Sequence, residues 1–141
     1  MLLEIAIGLG LMCLTIVIHA SFMVSGVKLA EWRISRRGTR TSDLQKAVLI
    51  SLFTAWLFTG VTVEALLWAA VYLHIPSITT LADLESAFYF SMVTFTTVGY
   101  GDVVLTGSWR MLSSLQAGNG VIIFGWTTAL IFYFIQKIYG K

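Results

Sequence analysis

Thr97-Val98-Gly99-Tyr100-Gly101-Asp102 is the stretch that decides how this chain is read. Two glycines alternate with larger residues, directly after an apolar run over residues 88–96. Glycine adopts φ > 0 conformations that other residues resist. A backbone alternating between right- and left-handed angles turns successive carbonyls the same way. Thr97, Val98, Gly99 and Tyr100 then line an axis with carbonyl oxygens while their side chains point back into protein. A Gly-x-Gly pair alone is a weak signal, because most such pairs are turns. The full six-residue string, set between a short and a long apolar segment, is a strong one.

The surroundings are those of a membrane protein. Of 141 residues, 57% are hydrophobic and 11% charged, with a mean hydropathy of +0.86; a soluble domain carries about 25% charged residues. Just before the string, Thr80 is the expected N-cap of a helix over residues 81–96, with Asp83 at N3 and Glu85 in its first turn. Such a helix is roughly 22 Å long, too short to span. It suits a re-entrant segment whose C-terminal dipole end favours a cation, followed by irregular backbone lining a watery path. After the string, residues 110–136 carry no charged residue beyond Arg110 and form a span. Five residues follow Gln136, so no regulatory domain is expected there.

Two further spans precede the string. Residues 5–27 are apolar apart from His19, and Glu4 in place of a basic leader argues against a signal peptide. Residues 47–73 hold Glu64 as their one charge, with Trp68 and Tyr72 suited to the outer interface and Pro76 beyond the end. The linker over residues 28–46 is basic, with Lys28, Arg33, Arg36, Arg37, Arg40 and Lys46 against Glu31 and Asp43. The positive-inside rule places it in the cytoplasm, so the N-terminus is outside and the C-terminus cytoplasmic. The arginines at 33, 36, 37 and 40 are also a candidate anionic-lipid contact, and Trp32 suits the interface. Nothing here suits nucleic acid. Cys13 is the single cysteine and reads as a small packed hydrophobe, with no intrachain disulfide available. No catalytic or metal-ligating constellation is evident, so an enzyme and an organic cofactor are not expected. No voltage-sensor pattern of repeated cations occurs.

The string resembles the selectivity filter of potassium channels residue for residue. Residues 47–136 resemble the minimal pore unit of bacterial-type members, with an outer helix 47–73, pore helix 81–96, filter 97–102 and inner helix 110–136. Residues 1–27 and the linker lie outside that likeness. It implies an all-α membrane protein of three transmembrane helices plus a re-entrant pore helix and filter loop. It also implies a homotetramer, since one strand encloses nothing, and a bacterial inner membrane. Potassium is the permeant ion, held at Thr97, Val98, Gly99 and Tyr100, with Gly101 completing the filter. On the inner helix, Gly120 stands where relatives often have a hinge glycine. Val121, Phe124, Thr128, Phe132 and Gln136 recur at helical spacing as a cavity stripe, and four copies of Phe132 would form a constriction. Lipid or interhelical packing explains such a stripe equally well. Asn119 and Gly125 suit close helix packing.

The support of the filter departs from the family pattern. Val93 stands where some bacterial members place a glutamate, and Tyr89 and Phe90 stand where many carry paired tryptophans. Tyr89 is the candidate donor to Asp102, and Thr94 replaces Phe90 as the candidate partner of Tyr100. Glu64 is expected to brace the pore helix or the outer loop. His19 reads as a packed histidine, and a direct His19–Glu64 pair is not expected, because helical rise sets their depths about 8 Å apart. The alternatives to a potassium channel are a less selective cation channel and a modulatory subunit that assembles with a larger one.

Overall fold

The computed structural model describes residues 2–36 and 42–139. Four helices follow one another: α1 (Leu2–Ser35), α2 (Asp43–Leu73), α3 (Leu84–Phe95) and α4 (Arg110–Tyr139), the last entered through a 3-10 turn at Gly107–Trp109. Three helical stretches are long and apolar enough to cross a membrane, namely α1, α2 and Gly107–Tyr139. With its 12 residues, α3 reaches only about 18 Å.

Helix ends follow local chemistry. The Ser42 side chain accepts from Gln45 N while Gln45 returns a bond to Ser42 N, a capping box that starts α2. The same device starts α3 at Asp83 and Ser86, so the N-cap is Asp83 and not Thr80. That bond from Ser86 N holds the Asp83 carboxyl below its usual range. Helix α1 runs on to Ser35, past the predicted end at residue 27. The basic residues 28–35 are helical because loss of hydropathy marks where a membrane ends, and it does not stop a helix. Arg33 lies in the last turn of α1, and the Arg36 guanidinium sits 4.5 Å from the centre of the Trp32 ring. Arg37 and Arg40 of the expected lipid contact lie outside the described residues.

Small residues fix how α1 docks. A Cβ on Gly26 would lie 2.9 Å from the Trp56 ring, and one on Gly60 would lie 2.9 Å from Phe22. Against α4, a Cβ on Gly8 would meet Leu115 at 2.4 Å. These contacts set one antiparallel register between α1 and α2, in which 22 faces 60, 26 faces 56 and 19 faces 64. The direct pair that depth counting argues against is therefore present: His19 Nδ1 lies 3.0 Å from Glu64 Oε1, with both side chains fully buried. Depth reckoned from helix ends misleads here because α1 and α2 span about 51 Å and 46 Å, well beyond a hydrocarbon core of about 30 Å. Packing sets their offset instead. Glu64 thus reaches α1 and does not brace α3.

The other His19 nitrogen, Nε2, lies 3.0 Å from Thr127 Oγ1 on α4. That hydroxyl donates to Ile123 O at 2.8 Å, so it accepts from His19 Nε2–H. The imidazole thus has a polar partner at each ring nitrogen, Glu64 on α2 and Thr127 on α4, which limits the cost of burying it. One turn away on α1, Thr15 Oγ1 accepts from Asn119 Nδ2 at 2.6 Å. At the far end, Lys137 pairs with Glu31.

The buried apolar side chains form two clusters. One gathers Trp68, Tyr72, Phe95, Leu112 and Ile123 around α3. The other joins Ala30, Leu49, Phe53, Leu57 and Phe134 at the opposite end of the bundle, with the Phe53 and Phe134 rings 4.2 Å apart. Trp68 and Tyr72 are fully buried and are not interfacial anchors. Their apolar bodies fill the space beside α3 left by small residues such as Ala69 and Ala87. Cys13 is exposed on a face of α1 that neither α2 nor α4 covers, so it does not pack in the core.

Candidate functional site

The site begins where α3 runs out of helix. Its final carbonyls need donors. Thr96 N bonds Met92 O at 2.9 Å, and Thr97 N bonds Thr94 O at 3.0 Å. Val93 O accepts from both Val98 N at 3.0 Å and Gly99 N at 3.3 Å. The end of α3 therefore grips the start of the 97–102 loop through backbone alone.

Along that loop φ is +62° at Thr97, +56° at Gly99 and +79° at Gly101, while Val98 and Tyr100 keep ordinary negative values. Left-handed angles thus recur at every second residue. The glycines adopt them without strain. Thr97 is the one described non-glycine residue that does so, at a cost of about 1–2 kcal/mol. Residues 97–102 are all exposed on the single chain, with Tyr100 at 71%. A groove of roughly 430 Å³ runs beside the loop, bordered by Tyr89, Val93, Thr94 and Asp102 and by Ser113 and Ala117 of α4.

Side chains hold the loop's outer half. Tyr89 Oη donates to Asp102 Oδ2 at 2.7 Å. This bond keeps the Asp102 carboxyl below its usual range and pushes the Tyr89 hydroxyl up. Thr94 reaches the loop through its carbonyl, which accepts from Thr97 N. Beyond the loop, Trp109 Nε1 donates to Ser77 Oγ at 3.0 Å and ties the entry of α4 to the segment after α2.

Behind α3 lies a buried polar network that sequence reasoning passed over. Ser91 Oγ donates to Ala65 O at 2.6 Å. Gln116 Nε2 donates to Ser91 Oγ at 2.6 Å and to Ser91 O at 3.3 Å, and Tyr72 Oη donates to Gln116 Oε1 at 2.7 Å. The available signal was a side-chain amide within an expected span, which needs partners wherever it is buried.

One turn along α4 from Gln116 is Gly120. A Cβ there would fall 1.8 Å from the Phe95 carbonyl oxygen. Gly120 is a point of close approach between α4 and the end of α3. Gly125 has open space around it within the chain, and Asn119 reaches α1. On α4, Val121, Thr128, Phe132 and Gln136 are exposed, while Phe124 is half-buried against Phe95, ring centres 6.2 Å apart. They occupy the side opposite buried Leu112, Gln116, Ile123 and Phe134. Among the described residues no group of three or more His, Cys, Asp or Glu could hold a metal ion.

No curated protein and no solved structure matches the chain. A family model described as an ion channel matches residues 60–137, more than half of the sequence. The matched segment runs from the middle of α2 through α3 and the loop to the last turns of α4, and leaves α1 outside. With three helices fit to cross a membrane and that match over its loop-bearing part, the chain is a membrane protein that belongs to the ion-channel family.

Proposed function

We propose that this chain is one subunit of a homotetrameric, potassium-selective channel whose filter is the 97–102 loop. The observation that carries the reading is the alternation of left-handed angles at Thr97, Gly99 and Gly101 in a loop that is exposed on the single chain yet anchored at both ends. Four such loops around an axis would present the carbonyls of Thr97, Val98, Gly99 and Tyr100, and the Thr97 hydroxyl, as successive oxygen cages. Those oxygens replace the hydration shell of potassium, and neighbouring ions repel one another onward in single file. The C-terminal end of α3, as a re-entrant pore helix, adds negative partial charge below the filter. The open groove and the bare stripe at Val121, Thr128 and Phe132 supply surfaces for neighbouring copies and for the cavity. Potassium is the transported ion, and the reading calls for no organic cofactor. The basic stretch faces the cytoplasm, where Arg33 and Arg36, with Arg37 and Arg40, are available to anionic lipid.

The test is purified protein in liposomes loaded with potassium salt and diluted into impermeant-cation buffer. Potassium efflux that barium blocks, and that an equal sodium gradient does not drive, is the expected result. Equal flux under both gradients identifies a less selective cation channel. Absence of any flux identifies a modulatory subunit.

A further inference from the structure

We propose that Gln116 is the positioning residue of the filter: an inner-helix amide that seats α3 and, through α3, sets the spacing of the loop carbonyls. The inference rests on the reading of residues 97–102 as a potassium filter and adds a residue that the family match does not single out.

Two helices mesh here with a constant offset. Gln116 faces Ser91, and Gly120 faces Phe95, each pair 25 positions apart. The first contact is polar and the second steric, on successive turns of both helices. Together they fix the height of α3 against α4 and its rotation. Two residues beyond Ser91, Val93 O holds the amides of Val98 and Gly99. A displacement of α3 at Ser91 is therefore delivered to the loop backbone, with no side chain in between to absorb it.

The chemistry at 116 calls for an amide. Ser91 Oγ has spent its proton on Ala65 O, and Tyr72 Oη needs an acceptor. Position 116 must offer donors to Ser91 and an acceptor to Tyr72 at once. Gln supplies two N–H groups and a carbonyl in one plane. Tyr72, Ser91 and Gln116 are all fully buried, so no bulk water replaces a lost bond.

Replacing Gln116 with Glu turns this requirement into a titration. The protonated acid accepts from Tyr72 and donates one bond to Ser91. The carboxylate can only accept, and it faces the Ser91 carbonyl. The titratable group facing position 116 is the Tyr72 hydroxyl from α2; α3 presents Ser91, and α1 meets the adjoining Leu112 and Leu115 with Gly8, which carries no charge.

The experiment measures the potassium-to-sodium permeability ratio of wild type, Gln116→Leu and Gln116→Glu channels in one bilayer composition, at about pH 5 and about pH 9. The Leu variant is expected to lose about tenfold in the ratio at both pH values, and the Glu variant to regain about tenfold over it at the lower pH. A Leu variant within about twofold of wild type overturns the proposal, as does a Glu variant no better than Leu at either pH. Should the Leu variant not assemble, Tyr72→Phe and Ser91→Ala carry the same forecast, each removing one hydroxyl from the network; wild-type ratios in both overturn it. A wild-type protein that passes no potassium sinks the channel reading itself. A selective wild type with indifferent variants sinks only the role of Gln116.

Discussion

Gly120→Ala separates two meanings of one glycine. A hinge glycine needs freedom, and alanine there costs function while helping helix stability. A glycine of close approach needs space. The added Cβ would sit 1.8 Å from the Phe95 carbonyl oxygen and 2.8 Å from its carbon. An ordinary contact begins near 3.4 Å, so α3 and α4 must part by roughly 1.6 Å, and the obstacle is backbone that no rotamer change can move. Overpacking of this kind costs about 1–3 kcal/mol, and parting the helices also stretches the Gln116–Ser91 bonds, worth about 1 kcal/mol each. Against this stands about 0.5–1 kcal/mol gained by replacing glycine within a helix. The net expectation is a loss of about 2 kcal/mol. Gly125→Ala is the internal control, because a methyl group at that position would have nothing within 4 Å, and it should gain about 0.5–1 kcal/mol. Denaturant unfolding in mixed micelles, followed by tryptophan fluorescence, reads both. A Gly120→Ala protein as stable as Gly125→Ala would refute the close-approach argument.

Three other outcomes are expected. His19→Ala strands Glu64 in the bundle interior and should cost about 3–5 kcal/mol, with part recovered in a His19→Ala, Glu64→Leu double variant; equal stability of single and double variants in the same unfolding assay would contradict the pairing. Tyr89→Phe removes the donor that depresses Asp102, so the Asp102 titration followed by carbon NMR should move up toward the ordinary carboxylate value. Because the folded-state value is the lower one, the loop's support from Asp102 is fully present above the ordinary carboxylate pKa and is lost as pH falls through the depressed one. An unmoved Asp102 titration would exclude the Tyr89 bond. Gly99→Ala and Gly101→Ala place a methyl group at φ of +56° and +79° and should abolish potassium selectivity in bi-ionic recordings, whereas retained selectivity would remove the filter assignment.

Much of the helical order is legible because hydropathy and capping are local signals. Residues 47–73 and 110–136 lie within α2 and α4, and the short segment before the loop is helical. The start of α3 slipped by a turn because Thr80 and Asp83 are both good caps, and only the reciprocal bond with Ser86 decides between them. The docking of α1 was not legible. It depends on Gly8, Gly26 and Gly60 meeting large side chains from other helices, and a lone glycine in an apolar run does not name its partner. The His19–Glu64 pair was misjudged for the same reason, since register belongs to packing. Gln116 was overlooked because its partners Tyr72 and Ser91 lie 44 and 25 residues away. In the loop, the sequence carries the alternation of glycines, but it does not say that Thr97 also adopts a left-handed angle, which accompanies the bonds of Val98 N and Gly99 N to Val93 O.

The docking of α1 has a mechanical consequence for α4. Asn119, Thr127 and Lys137 are fastened in turn to Thr15, His19 and Glu31 of one neighbour, α1. These fastenings cover about 27 Å of α4, everything below the level of Gly120. A helix splinted in this way does not flex like a free rod. To bend it, α1 must bend as well or a fastening must break, and the outermost, an exposed ion pair, is the weakest of the three. Any swing of the lower half of α4 is therefore a movement of two helices acting as one beam, and a load applied to α1 by the surrounding bilayer is carried into α4 along its length.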